Sequence, residues 1–199
     1  MKVSREKAAE NRARILAEAS RLFRERGLAG VGVDALTGAA GLTHGSLYSQ
    51  FGSKERLVAE ALAQALESSG DKTRKELAAG GSLATVVARY LSPSHRDAPG
   101  GGCALAAIGP EAARQGGAVR QAFTRGVRGF AARLAAVMPA RGGDQPPEDA
   151  ALATVAALVG ALILARAVDD PELSDRILAA SAQRLAAGDG TAAGSPPPH

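Results

Sequence analysis

The chain has 199 residues, 46% apolar and 22% charged, with no tryptophan and a single cysteine, Cys103. That is enough for one ordinary domain and a smaller second one; it is a usual globular composition, and one thiol excludes an internal disulfide framework and fits a reducing cytosol. The net charge of +4 is concentrated at the N-terminal end, where residues 1–60 hold ten Lys/Arg against seven Asp/Glu, weak support for an anionic partner there.

The opening "MKVSREKAAENRARIL" is charged and has no apolar segment, so a secretory signal is not expected. From Arg5 to Arg26 the residues Ile15, Leu16, Ala19, Leu22 and Phe23 recur at helical spacing, with Arg12, Arg14, Arg21 and Arg24 mostly on the other sides. Gly27 is the expected helix stop. "GVGVDALTGAAGLTHGSLYSQFGSKERLVAEALAQAL" then reads as three helices with very short breaks. The first, "VDALTGAA", ends at Gly41, which supplies the positive φ of a tight turn. The second runs from His44 to Phe51 behind Thr43 as N-cap. Gly52 ends it, Ser53 caps again, and a long helix carries Leu57, Val58, Ala61, Leu62, Ala65 and Leu66 on one side.

Beyond Gly70, helices are expected near 71–79 (separate or continuous with the previous one), 82–92, 104–115, 118–138, 148–167 and 172–187. "SPSHRDAPGGG" (92–102) and "PARGGDQPP" (139–147) are rich in helix breakers and read as loops. Residues 188–199, ending "DGTAAGSPPPH", have the composition of a disordered tail. No strand alternation and no internal repeat appears, so the fold class is all-α. The longest apolar run, "AALATVAALVGALILA" at 150–165, is shorter than the roughly 20 residues a membrane helix needs. A cytoplasmic protein without a membrane span is expected.

Two short helices joined by a Gly-containing turn, between amphipathic helices, form a helix-turn-helix. With Leu47 and Phe51 turned inward at roughly 100° per residue, Gly45, Ser46 and Ser49 point outward, Tyr48 and Gln50 lie on the flanks, and Thr43 and His44 crown the N-terminal end. Short polar side chains are what a helix entering a major groove requires. Lys54 adds a cation at the first turn of the next helix, where backbone N–H groups already favour an anion. Periodicity alone leaves a second reading open, in which these residues are the solvated face of a small helical core.

The stretch "LFRERGLAGVGVDALTGAAGLTHGSLYSQFGSKERLVAEAL" resembles the N-terminal DNA-binding domain of the TetR family of bacterial transcriptional regulators. The likeness runs from about Arg12 to Leu66 and rests on Ala19 to Phe23, Gly27, Gly41, Gly45, Leu47, Tyr48, Phe51, Ser53 and Lys54. It implies a helix-turn-helix domain over 1–53, a linking helix from 54, and a helical regulatory and dimerisation domain over 54–187. It further implies a homodimeric repressor on a palindromic double-stranded operator, released by a small ligand, with Thr43, His44, Gly45, Tyr48 and Lys54 at the DNA. Phe51 is then core and Tyr48 a phosphate anchor. Gly32, Thr37 and Gly38 depart from the family's pattern of a hydroxyl cap, a small apolar residue and a helix former, which makes 33–40 the weak helix.

The helix at 148–167 is apolar nearly all round, with Leu152, Val155, Leu158, Val159, Leu162, Ile163 and Leu164. It must be buried on more than one side, against its own domain or a second copy. The resemblance favours dimerisation through the helices near 148–167 and 172–187. Arg166 closes the apolar run and suits a helix C-terminus, paired with Asp169 or Asp170. Tyr90, Phe123 and Phe130 are the aromatics available to line a ligand pocket, and Arg120, Arg125 and Arg128 read as a solvated face. Cys103 is expected at or just before a helix start, where a thiol gains reactivity, or as a small buried residue. "GCALA" resembles an element of one family branch, some members of which sense oxidants or electrophiles, so Cys103 is a candidate redox sensor.

No metal-ligand spacing, phosphate loop or nucleophile elbow is present, and a Cys103–His95 dyad has no identifiable third member. No metal, cofactor or catalytic activity is expected. The competing class is a helical interaction module that offers the helix-turn-helix face to a protein.

Overall fold

The computed structural model describes residues 5–41, 43–138 and 147–187. Among these all regular structure is helical, with no strand. The helices are α1 (Arg5–Arg26), α2 (Val33–Ala40), α3 (His44–Phe51), α4 (Lys54–Ala78), α5 (Leu83–Tyr90), α6 (Pro93–Asp97), α7 (Ala104–Ala112), α8 (Gly117–Ala135), α9 (Pro147–Ala167) and α10 (Pro171–Ala187), with a 3-10 turn at Pro99–Gly101. The expected tail at 188–199 and most of the expected loop at 139–147 lie outside the described residues.

The chain divides into two compact units, residues 1–72 with 98–129 and residues 73–97 with 130–199. In the first, α1, α2, α3 and the start of α4 converge on Ile15, Leu22, Phe23, Leu36, Leu47, Phe51, Leu57 and Leu62, all nearly inaccessible. Each such side chain contributes about 1.5–3 kcal/mol through its burial. The same core continues into Ala104, Ile108 and Ala112 of α7 and Val119 and Ala122 of α8. The helix-turn-helix therefore shares its interior with a segment far along the chain. Gly27 and Gly41 adopt positive φ, 73° and 64°, and close the turns after α1 and α2.

In the second unit α9 packs its Ala151, Val155, Leu158 and Leu162 face inward. Asp170 caps α10, its Oδ1 accepting from the N–H groups of Glu172 and Leu173 at 2.9 and 3.1 Å. Phe130 stacks on Tyr90, 5.7 Å between centroids, and His95 meets the Tyr90 ring edge-on at 4.8 Å. Arg166 sits in the last turn of α9, as expected, and its guanidinium donates to the carbonyls of His95 and Arg96 in α6 at 2.7 and 3.0 Å.

One expectation needs correction. The 92–102 segment is not a plain loop, because Ser92 and Pro93 start α6: the Ser92 hydroxyl accepts from the His95 N–H at 3.2 Å, and proline suits the first helical position. α4 continues unbroken through the buried Gly70, the continuous one of the two arrangements left open for 71–79. α9 is 21 residues long and apolar enough by length and composition to cross a bilayer, a weak criterion that a protein core helix also meets, and its Ala151, Val155, Leu158 and Leu162 are buried in the chain.

Candidate nucleic-acid interface

α3 presents its sides as its spacing demands. Leu47 and Phe51 are buried, and Tyr48 on the flank is 49% exposed. Thr43, Gly45 and Ser49 are exposed, and Ser46 and Gln50 half-buried. His44 begins the helix; its side chain lies outside the described set. Thr43 holds the N-cap position in extended backbone, its carbonyl accepting from Ser46 N–H at 3.0 Å, while its side chain makes no capping bond. The hydroxyl of Ser49 donates to the Ser46 carbonyl at 3.0 Å, and the Gln50 amide donates to the Ser46 hydroxyl at 3.3 Å. These short internal bonds keep the outer face low, as close approach to a groove requires.

α3 and its neighbours are tied to α1 by two arginines that helical spacing puts mostly on its polar sides. The Arg12 guanidinium lies over the Phe51 ring and pairs with Glu60 of α4. Arg14 donates to the Ala40 carbonyl at 2.9 Å, closing the C-terminus of α2. A signal was present: Arg12 precedes Ile15 by three residues and Ala19 by seven, which places it on the buried stripe.

Lys54 opens α4, and its ammonium donates to the Val31 carbonyl at 2.7 Å and the Leu28 carbonyl at 3.4 Å. Two of its three protons are thus directed at the α1–α2 turn. From the other side, Glu111 of α7 accepts from the N–H groups of Leu28 and Ala29, each at 2.9 Å from Oε2, with Leu28 also 3.1 Å from Oε1. Nothing in "GPEAAR" announces a carboxylate that reaches back 83 residues.

Cys103 is the N-cap of α7, buried, in the same unit as the helix-turn-helix. Arg24 of α1 approaches it, donating weakly to the Gly102 carbonyl at 3.5 Å. Burial pushes the Arg24 guanidinium pKa down, and its attraction to Cys103 and Glu25 acts in the opposite sense. Arg120, Arg125 and Arg128 are exposed on α8.

Residues 15–61 match the family model described as bacterial regulatory proteins, tetR family. Residues 79–181 match that of the tetracyclin repressor-like C-terminal domain. No curated protein matches the chain in sequence. Among solved structures, a TetR-family transcriptional regulator from Cytophaga hutchinsonii is 23% identical with a TM-score of 0.75, over 94% of this chain and 97% of that one. A TetR regulator from Chloroflexus aurantiacus is 25% identical with a TM-score of 0.74, over 91% and 94%. E. coli NemR in its reduced form is 23% identical with a TM-score of 0.74, over 88% and 95%. With both family models matched, the chain belongs to the TetR family of bacterial regulatory proteins and is a DNA-binding transcriptional regulator.

Proposed function

We propose that the protein is a cytoplasmic homodimeric repressor that binds a palindromic operator through paired α3 helices and is released by a small ligand or by modification of Cys103. In this reading Thr43, His44, Gly45, Tyr48 and Lys54 meet the DNA backbone and groove edge, while Ser46, Ser49 and Gln50 face the bases. The observation that carries the dimer is the uncovered apolar face of the last two helices. Leu152 and Leu164 on α9 are 42% and 57% exposed and Leu173 on α10 is 41% exposed. Beside them the exposed Ala156 and Ala157 and the half-buried Gly160 allow a second helix to approach closely. A two-fold axis there would match the two-fold symmetry of an operator.

Modification of Cys103 is supported by its position at the start of α7, beside a cation and on a helix that packs into the reading-head core. A peroxide would oxidise the sulfur by two electrons to a sulfenic acid, one peroxide oxygen passing to sulfur and the other leaving as water. With one cysteine in the chain, any later disulfide must involve a second subunit or a small thiol. The added bulk in a closed site would shift α7. The test is titration onto the DNA upstream of the protein's own gene, with and without a mild oxidant or electrophile, beside Cys103→Ser. Binding lost on treatment only by the wild type supports the thiol trigger. Equal behaviour of the two proteins assigns release to a noncovalent ligand.

A further inference from the structure

We propose that Glu111 is the positioning residue through which α7 and the reading head sense one another. The inference rests on the reading that DNA binding by this chain is regulated. Leu28 is the meeting point: its N–H donates to Glu111 on α7, and its carbonyl accepts from Lys54 on α4. Lys54 lies three residues beyond Phe51, the buried end of the reading helix. The Leu28–Ala29 peptide unit is therefore held between Glu111 and Lys54, its N–H on the α7 carboxylate and its carbonyl on the ammonium of the first α4 residue.

The arrangement is built for contact at this point. Gly27 carries no side chain where a Cβ would collide with the Glu111 carboxylate, and its φ of +73° turns the following N–H groups toward α7. Ala104, Ile108 and Ala112 set α7 into the core shared with α1, and Glu111 lies on the same side of α7 at the helical spacing. At the other end of α7, Cys103 is the N-cap and Arg24 of α1 is its charged neighbour. A nine-residue helix is thus fastened to α1 and its turn at both ends. Packing of Ala104, Ile108 and Ala112 in the shared core ties the two ends of α7 together across Pro110, so a displacement at its N-cap reaches Leu28 through Glu111. Charge-assisted bonds from a carboxylate to backbone N–H groups are strong enough to carry that displacement.

Thermodynamic linkage makes the coupling reciprocal. DNA bound at α3 must then hold α7 in place and protect Cys103, which lies at the opposite end of α7 from Glu111. The experiment uses the full-length protein and a duplex selected by the wild type from a random pool. The rate of Cys103 alkylation by N-ethylmaleimide is measured with and without saturating duplex, in wild type, Glu111→Gln and Glu111→Ala, with binding followed separately by fluorescence anisotropy. The wild type should react about fivefold more slowly, or slower still, when DNA is bound. Glu111→Gln, which keeps the shape and one acceptor oxygen, should retain only part of that protection, and Glu111→Ala none. Protection in Glu111→Gln equal to wild type overturns the proposal, as does a wild type that binds DNA without protecting Cys103. General stabilisation by bound DNA would persist in both variants, and so counts against the proposal. If the selection yields no duplex that the wild type binds, the regulatory reading fails and this inference fails with it.

Discussion

The guanidinium of Arg12 lies 4.7 Å from the centroid of the Phe51 ring and pairs with Glu60. One α1 side chain thereby joins the end of the reading helix to α4. Both ionic partners are part exposed, at 40% and 33% of their side-chain surface, so the ion pair contributes only about 0.2–1 kcal/mol and the stack about 0.5–1 kcal/mol. Arg12→Ala should therefore destabilise the chain by about 1–2 kcal/mol in denaturant unfolding. Arg12→Lys should recover only part of this, since an ammonium lacks the planar face. A loss below about 0.3 kcal/mol in Arg12→Ala would show that the clamp holds nothing.

Gly38 stands inside α2, where an added Cβ meets no atom and φ is not positive. Gly38→Ala should stabilise the protein by about 1 kcal/mol, raising Tm by about 2–4 °C in a chain of this size. Gly27→Ala makes the contrast: at a φ of +73° its Cβ would strike Glu111, and Tm should fall. An unchanged Tm in Gly38→Ala would mean that α2 does not limit the stability of the reading head.

Local rules made α3 legible. Leu47 and Phe51 at i and i+4, Thr43 before them and Gly52 after them leave one orientation for an eight-residue helix, and its burial follows that pattern. The 92–102 segment departs from the loop that its prolines and glycines suggest, because "SP" supplies a cap and a preset φ that begin α6. Gly70 left the continuity of α4 open: the loss of about 1 kcal/mol from glycine in a helix is outweighed by packing along α4. The ties of Glu111 to Leu28 and Lys54 to Val31 could not be read at all. They join residues distant in sequence and leave no periodic trace.

Tyr48 and Lys54 separate direct contact from support. Tyr48 is half-exposed, so Tyr48→Phe should leave stability within about 0.5 kcal/mol. It should weaken DNA binding by the value of one hydrogen bond, about threefold to tenfold. Lys54→Ala also removes the bonds to Val31 and Leu28, and should lower both stability, by about 1–3 kcal/mol, and affinity. The salt dependence of binding decides how Lys54 acts. A phosphate contact reduces the slope of log K against log salt by about one. An unchanged slope in Lys54→Ala would assign the residue to the α1–α2 turn alone.

Leu164 is 57% exposed on α9 and contributes little to the interior of its own chain. Leu164→Glu should leave the unfolding midpoint of the isolated chain nearly unchanged while placing a carboxylate in the apolar face proposed to pair across the two-fold axis. Burying that charge without a partner is costly, so sedimentation should show monomers at concentrations where the wild type is dimeric. Two reading heads on one operator bind with an effective concentration that a monomer lacks, and operator affinity should fall on the order of a hundredfold. A Leu164→Glu protein that stays dimeric would move the interface away from this face of α9. A monomeric variant with wild-type affinity would instead sever dimerisation from DNA recognition.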